Sequence, residues 1–359
     1  MKICKILLIF FLFSNCNNED EIFESSIPFK TLKSNETGIN FSNNLKYKTK
    51  LNIIEYLYYY NGGGVSVGDI NNDGLEDLYF SANLLPDRLY LNLGNMKFKD
   101  ISLDAGLNMD NSWSNGVNFE DINGDGFLDI YVTKVSPISQ KNSHNLLYIN
   151  NGDLTFSEMS EDYGLNFSGF STHGTFFDYD RDGDLDLYLL NHAIHTVRSY
   201  GTSKKRSESD NLSGDKFYEN KINETEGKFI EVTRNANIYD SPLGYGLAVT
   251  ATDINNDGWL DIYVGNDFHE NDYIYINNKD KTFKESVKKS ISHSTHFTMG
   301  IDVADLNFDG YQDIFTTDMM PFDSEIFLKS GGEDSDKRSR IKKEFGFEYQ
   351  FSRNHFNLN

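Results

Sequence analysis

One nine-residue frame, written five times along the chain, restricts the possible folds more than any other feature. It reads Asp69-Ile-Asn71-Asn-Asp73-Gly74-Leu-Glu-Asp77, then Asp121-Ile-Asn123-Gly-Asp125-Gly126-Phe-Leu-Asp129, then Asp178-Tyr-Asp180-Arg-Asp182-Gly183-Asp-Leu-Asp186. The fourth is Asp253-Ile-Asn255-Asn-Asp257-Gly258-Trp-Leu-Asp261 and the fifth Asp305-Leu-Asn307-Phe-Asp309-Gly310-Tyr-Gln-Asp313. Successive frames begin 52, 57, 75 and 52 residues apart. Self-similarity at such a period marks a repeat architecture. The longest interval holds a polar stretch, Ser199 to Lys216, which reads as a surface loop inserted into a regular unit.

The surroundings of the frame repeat as well. A short apolar segment led by glycine precedes it, as in Gly64-Val-Ser-Val and Gly300-Ile-Asp-Val. A strand-like run follows, such as Leu78-Tyr-Phe, Ile130-Tyr-Val or Ile262-Tyr-Val. Next comes a hairpin pattern, seen at Arg88, Asn145 and Asp272, with Asn-Gly or a similar pair between short alternating runs. With 21 Tyr and 28 Phe, the apolar runs favour strands, and 28 Gly against 5 Pro leaves turns to Gly, Asn and Asp. Each unit therefore holds four short strands in roughly 50 to 60 residues, the size of a propeller blade. The expected fold is an all-β propeller of four-stranded blades. A linear β-solenoid fits less well, because its repeats are shorter and lack a four-strand meander.

Carboxylates and carboxamides at positions 1, 3, 5 and 9 suit a hard cation bound through oxygen. Calcium takes six to eight oxygens and tolerates irregular geometry. Glycine at position 6 permits a sharp turn, and position 7 offers its carbonyl, so its side chain varies. The candidate ligands are Asp69, Asn71, Asp73 and Asp77; Asp121, Asn123, Asp125 and Asp129; Asp178, Asp180, Asp182 and Asp186; Asp253, Asn255, Asp257 and Asp261; and Asp305, Asn307, Asp309 and Asp313. About five calcium ions are expected, with folding linked to their uptake. The alternative is an Asx-rich turn that binds nothing. An EF-hand is excluded, since position 12 is Phe80, Val132, Leu189, Val264 or Thr316 rather than Glu. Thiolates are absent from the body of the chain, which argues against structural zinc. Magnesium prefers to keep several waters and suits so crowded a carboxylate loop less well.

The formal net charge of −22 argues against nucleic acid and anionic membrane surfaces as partners. The N-terminus reads as an export signal, residues 1–15, with Lys2 and Lys5 before the apolar run Ile6 to Phe13. That run is too short to span a bilayer. Cys4 and Cys16 are the only cysteines. Phe13-Ser14-Asn15-Cys16 fits a lipoprotein cleavage site loosely, so Cys16 is the candidate lipidation site; an ordinary cleaved signal is the alternative. The acidic run after Cys16 resembles the tag that sends lipoproteins to the outer surface of Bacteroidota-type bacteria. Outer-membrane or cell-surface placement follows, with secretion as the alternative. Residues 16–60 read as a tether and lead-in segment.

The frames with their flanking glycine and strand runs resemble FG-GAP or VCBS repeats, the calcium-loop blades of integrin-α-like propellers. Asn61-Gly-Gly-Gly-Val, Ser171-Thr-His-Gly and Phe297-Thr-Met-Gly-Ile-Asp are similar to segments of bacterial lipoproteins related to cartilage acidic protein and the ASPIC/UnbV group. The resemblance covers about Gly62 onward. It implies that the frame Asp and Asn residues are calcium ligands, and that the intact family is a seven-bladed extracellular propeller with adhesion or ligand-binding roles. The blades are expected over residues 61–352. Residues 353–359 match a hairpin start and read as the opening of a truncated sixth blade, which makes the chain a fragment.

Three further features bear on function. His173, His192, His195, His293 and His296 fall near inner strands, where they read as loop and packing residues, with a transition-metal or catalytic group at one rim as the alternative. Tyr56 to Tyr60 reads as a buried strand, with sugar stacking as the alternative. Lys204-Lys205-Arg206 reads as a solvated basic run. No nucleophile motif or separate carboxylate pair stands out. The expected function is a calcium-binding cell-surface binding, adhesion or scaffolding module, not an enzyme, serving protein, glycan or nutrient capture. A propeller-based polysaccharide lyase or hydrolase is the alternative.

Overall fold

A computed structural model describes residues 29–46, 51–138, 143–194, 201–329 and 334–359. The export signal, Cys4, Cys16 and His195 lie outside the described residues. Contacts divide the chain into Met1–Lys33 and Ser34–Asn359. Residues 29–33 carry no regular secondary structure, and every element below belongs to the second unit. No helix among the described residues is long and apolar enough to cross a membrane.

The strands form successive antiparallel meanders. The first sheet is β1 (Val65–Gly68), β2 (Asp77–Phe80), β3 (Arg88–Asn92) and β4 (Phe98–Asp100). The second is β5 (Ser114–Glu120), β6 (Asp129–Lys134), β7 (Leu146–Asn150) and β8 (Phe156–Glu158). The third is β9 (Ser171–Phe177), β10 (Asp186–Asn191), β11 (Lys216–Glu219) and β12 (Ile230–Glu231). The fourth is β13 (Gly246–Thr252), β14 (Asp261–Asn266), β15 (Tyr273–Asn277) and β16 (Phe283–Glu285). A short parallel pair joins β17 (Ser294–Thr295) to β20 (Gln350–Phe351). The fifth sheet is β18 (Gly300–Ala304), β19 (Asp313–Thr317) and β21 (His355–Asn357).

The terminal segment expected to open a sixth blade is instead the third strand of the fifth sheet, with Phe356 opposite Phe315. What hid this in the sequence is an insertion between β19 and β21 that carries two helices, Ser324–Lys329 and Asp336–Glu344. The insertion in the third sheet falls at the same crossing, between its second and third strands, and contains a short 3-10 turn, Ser203–Ser207.

The first strands β1, β5, β9, β13 and β18 lie side by side in that order. Second strands alternate their side chains between two buried faces, so both faces are apolar. Ile130 and Val132 pack toward the first sheet with Tyr79 and Leu89, whereas Tyr131 packs toward the third with Phe176 and Leu187. The same division recurs between the third and fourth sheets around Tyr188 and Tyr275, and between the fourth and fifth around Tyr263 and Ile314. A further cluster joins Tyr56, Tyr58 and Tyr59 to Trp113, Phe170 and Tyr245 near the starts of the first strands.

Tyr56 to Tyr60 is therefore not a strand. It runs through turns, with Tyr56, Tyr58 and Tyr59 buried and Tyr60 66% exposed. The basic run is not uniformly solvated either. Arg206 places Nε 2.5 Å from buried Glu270 and lies over the Phe347 ring.

Candidate cation loops

Every frame sits at the C-terminal end of a first strand, and its ninth residue opens the second strand. The local fold follows from the residue types. Position 4 has positive φ in all five frames: Asn72 58°, Gly124 74°, Arg181 63°, Asn256 57° and Phe308 61°. Position 6 does too, from 83° at Gly74 to 97° at Gly183, where only glycine avoids a steric cost. The backbone thus coils so that its N–H groups turn inward onto carboxylates. In the first frame Asp69 Oδ1 accepts from Asp73 N at 3.1 Å and Oδ2 from Gly74 N at 2.7 Å. Asp73 Oδ1 accepts from Leu75 N, and Asp77 Oδ2 from Ile70 N. The frames at Asp121, Asp253 and Asp305 repeat these bonds.

The third frame differs in chemistry. In three of the other four, the Asn at position 3 donates its amide to the Asp at position 5, as Asn71 does to Asp73 at 3.0 Å. The third has Asp180 there, so carboxylate faces carboxylate. Ligand oxygens of Asp178, Asp180 and Asp186 lie within 4.8 Å of one another, the one such group among the described residues. Two oxygens on opposite sides of a calcium ion at about 2.4 Å would be about 4.8 Å apart. Asp178 Oδ1 is buried and takes no hydrogen bond. An all-oxygen donor set with an unpaired buried carboxylate oxygen fits a hard divalent cation.

Lysines also reach these loops. Lys281 Nζ lies 2.6 Å from Asp180 Oδ2 and 2.5 Å from Glu219 Oε1. From the same β15–β16 turn, Lys279 Nζ lies 3.3 Å from Asp257 Oδ2. Neighbouring frames touch through position 4. Asn72 Nδ2 donates to Gly126 O at 3.0 Å, Asn256 Nδ2 to Gly310 O at 3.5 Å, and Arg181 stacks over Trp259 at 5.4 Å.

Burial pushes four of the ninth-position carboxylates upward: Asp77, Asp129 to about 7, Asp186 to about 8 and Asp261 to about 6. Backbone N–H donors oppose this, including one from the Asn that ends or follows the third strand. These asparagines were not singled out from the sequence. Asn92, Asn150, Asn220, Asn277 and Asn359 each donate their backbone N–H to the ninth Asp of their own sheet. Three also reach the preceding sheet. Asn150 donates to Ile70 O at 2.8 Å, Asn277 to Tyr179 O at 2.8 Å, and Asn359 to Ile254 O. Their signal was the Asn closing Leu-Tyr-Leu-Asn92, Leu-Tyr-Ile-Asn150 and Ile-Tyr-Ile-Asn277.

A second repeated contact lies at the other end of the second strands. The hydroxyl of Tyr79 donates to Asp87, that of Tyr188 to Asp215, and that of Tyr263 to Asp272, at 2.7–2.9 Å. In the second sheet Asn145 takes the Asp place and donates to Tyr131.

The histidines do not form one group. His192 packs against Tyr56 and Tyr58, His293 against His355, and His296 lies 3.4 Å from Lys342 Nζ. Lys342 also bonds Asp334 and Gln350, which closes that cluster.

The repeating four-stranded sheets and acidic loops define a propeller-blade type of repeat, and the family comparison agrees. The FG-GAP-like repeat model matches residues 69–132, 138–189 and 253–316, together just over half of the chain. The chain belongs to the FG-GAP-like repeat family. It is similar to cartilage acidic protein 1 of Mus musculus, 28% identical over 206 residues, covering 56% of this chain and 28% of that protein. The Xenopus tropicalis protein of that name is 27% identical over 240 residues, covering 66% and 33%. The chain thus spans a third or less of the length of these relatives. Among solved structures it is similar to an Agrocybe aegerita lectin that recognises non-reducing terminal N-acetylglucosamine, with TM-score 0.39, 19% identity, and 71% and 60% of the two chains covered. A rhamnogalacturonan lyase of Bacillus licheniformis gives TM-score 0.32, 13% identity, and 69% and 48% coverage.

Proposed function

We propose that this protein is a calcium-binding, cell-surface propeller module that captures a ligand and has no catalytic activity of its own. The observation that supports the metal is the third loop, where Asp178, Asp180 and Asp186 converge around an unpaired buried oxygen. In this reading the Asp and Asn residues at positions 1, 3, 5 and 9 of each frame hold the ions. Bound calcium supplies positive charge that cancels repulsion between these carboxylates. Five ions would bring the net charge from −22 to about −12. The protein itself contributes the coiled backbone, whose inward N–H groups fix the orientation of the carboxylates.

Lipidation of Cys16 would tether the module to the outer membrane, leaving protein or glycan partners in the external medium. The loops serve stability, so the ligand is met elsewhere on the molecule. Isothermal calorimetry with calcium on metal-stripped protein tests the metal assignment. Uptake with a rise in Tm is expected; no uptake by folded protein would overturn it. Palmitate labelling lost in Cys16→Ala tests the anchor.

A further inference from the structure

A cavity of about 420 Å³ opens where the first strands begin, at the end of the sheets opposite the acidic loops. That volume lies within the range of small-molecule sites, about 300–1,000 Å³. All five sheets contribute to it. Residues 61–64 lead into β1, Gly116 lies in β5, His173 in β9 and Leu247 in β13, and Met299 precedes β18. We infer that this cavity is the binding site of the module and that it takes a neutral saccharide, an assignment that rests on the ligand-capture reading above.

The chemistry of the walls carries the choice. The chain bears a net charge of −22, yet among the described residues no Asp, Glu, Lys or Arg lines the cavity. A charged ligand would leave water for a site without a counter-ion. Tyr56 and Tyr58, each 7% exposed, add a small area of wall without a free hydroxyl, since their hydroxyls are engaged by His192 Nε2 and Asp267 Oδ2, each at 3.0 Å. Leu247 and Met299 extend that apolar wall.

Polar capacity is left over on the other side. Neither the His173 ring nor the Asn61 amide makes a side-chain hydrogen bond among the described residues. Burial lowers the His173 pKa, so its ring stays neutral, with one donor and one acceptor nitrogen. The asparagine adds both functions again. A wholly apolar ligand would bury these groups unpaired, at a cost. A pyranose has a C–H face for the aromatic and aliphatic wall and hydroxyls that both donate and accept. Glycines keep the floor open. Gly62, at φ +88°, has open space where a Cβ would stand, whereas a Cβ at Gly116 would meet His173 Nδ1 at 2.5 Å.

The test is saturation-transfer NMR on the calcium-loaded full chain. The probes are neutral hexoses, N-acetylhexosamines and their disaccharides, with glucuronate as the charged control. A neutral sugar should give signal and glucuronate none. Leu247→Trp, which fills the cavity, should abolish the signal. His173→Ala should weaken binding about tenfold, the loss of one or two hydrogen bonds. Both variants should keep calcium uptake and Tm; Met299→Trp replaces Leu247→Trp if the latter lowers Tm. Signal that survives the filling variants would place the sugar elsewhere and leave the capture reading standing. Silence from every sugar would overturn the saccharide assignment without touching the calcium result. Equal binding of glucuronate would overturn the neutral class.

Discussion

Asn150 donates its side-chain amide to the carbonyl of Ile70, 80 residues earlier and one sheet away, at 2.8 Å. The same amide reaches Leu128 O at 3.0 Å, and the backbone N–H holds Asp129 Oδ1 at 2.8 Å. One buried residue at the end of β7 therefore joins two acidic loops. Asn150→Ala removes both amide bonds and strands buried carbonyls, so it should cost about 2–4 kcal/mol. Asn92→Ala, whose amide donates to Glu76 O in an exposed bond and accepts from Gly94 N within its own hairpin, should cost about 1 kcal/mol. Urea denaturation of the two variants checks the difference.

The third loop should lose its ion selectively. Asp178→Asn removes a charge beside Asp180 and Asp186 while keeping an oxygen. Calorimetric stoichiometry should fall by one, with the other loops retained. Each loop loaded at about 100 times its Kd should stabilise the fold by about 2.7 kcal/mol. The Tm difference between calcium and EDTA should shrink accordingly in the variant.

Lys281 acts as a resident cation at that loop, close to both Asp180 and Glu219. Its side chain is half exposed, so solvent weakens the pairing. Lys281→Met should lower the Tm of the calcium-free chain, by about 1 kcal/mol of stability, because Asp180 is left without its partner. It should also tighten calcium uptake at the third loop, since no ammonium competes. A weaker calcium affinity in this variant would contradict the role.

Burial raises Asp215 and Asp272 to about 7, against about 4 in an unfolded chain. Between those values the folded state keeps protons that the unfolded state has released. Stability must then fall as pH rises from about 4 to 7, and the contribution is fully present only below about 4. Calcium-free protein should therefore melt at lower temperature at pH 8 than at pH 5. Asp215→Asn should flatten part of that slope, with Asp272→Asn flattening a further part.

The acidic frames and their second strands were legible because each position has one chemical duty. Glycine at position 6, such as Gly126, cannot be replaced where φ is +91°, and Asp129 must both cap a loop and open a strand. Other features depend on partners far away in sequence. Arg206 looks like a solvated charge until Glu270, 64 residues on, takes its Nε. Tyr56, Tyr58 and Tyr59 have strand-forming side chains, but they are buried by Trp113, Phe170 and Tyr245 rather than by a ladder. The third strand of the fifth sheet, His355–Asn357, was separated from its neighbours by two helices and so passed for a new unit. The roles of Asn150, Asn277 and Asn359 were hidden for the same reason, because one acceptor of each, Ile70 O, Tyr179 O and Ile254 O, belongs to the preceding repeat.

Both long insertions enter at the crossing from second to third strand, residues 192–215 and 318–354, while the apolar contacts are parcelled between successive sheets. Coupling of this kind is nearest-neighbour in character. One repeat can therefore acquire new surface without retuning repeats two places away, and damage to one interface stays with the pair that shares it. Surface can diversify at one end of the sheets while the acidic loops at the other end stay fixed.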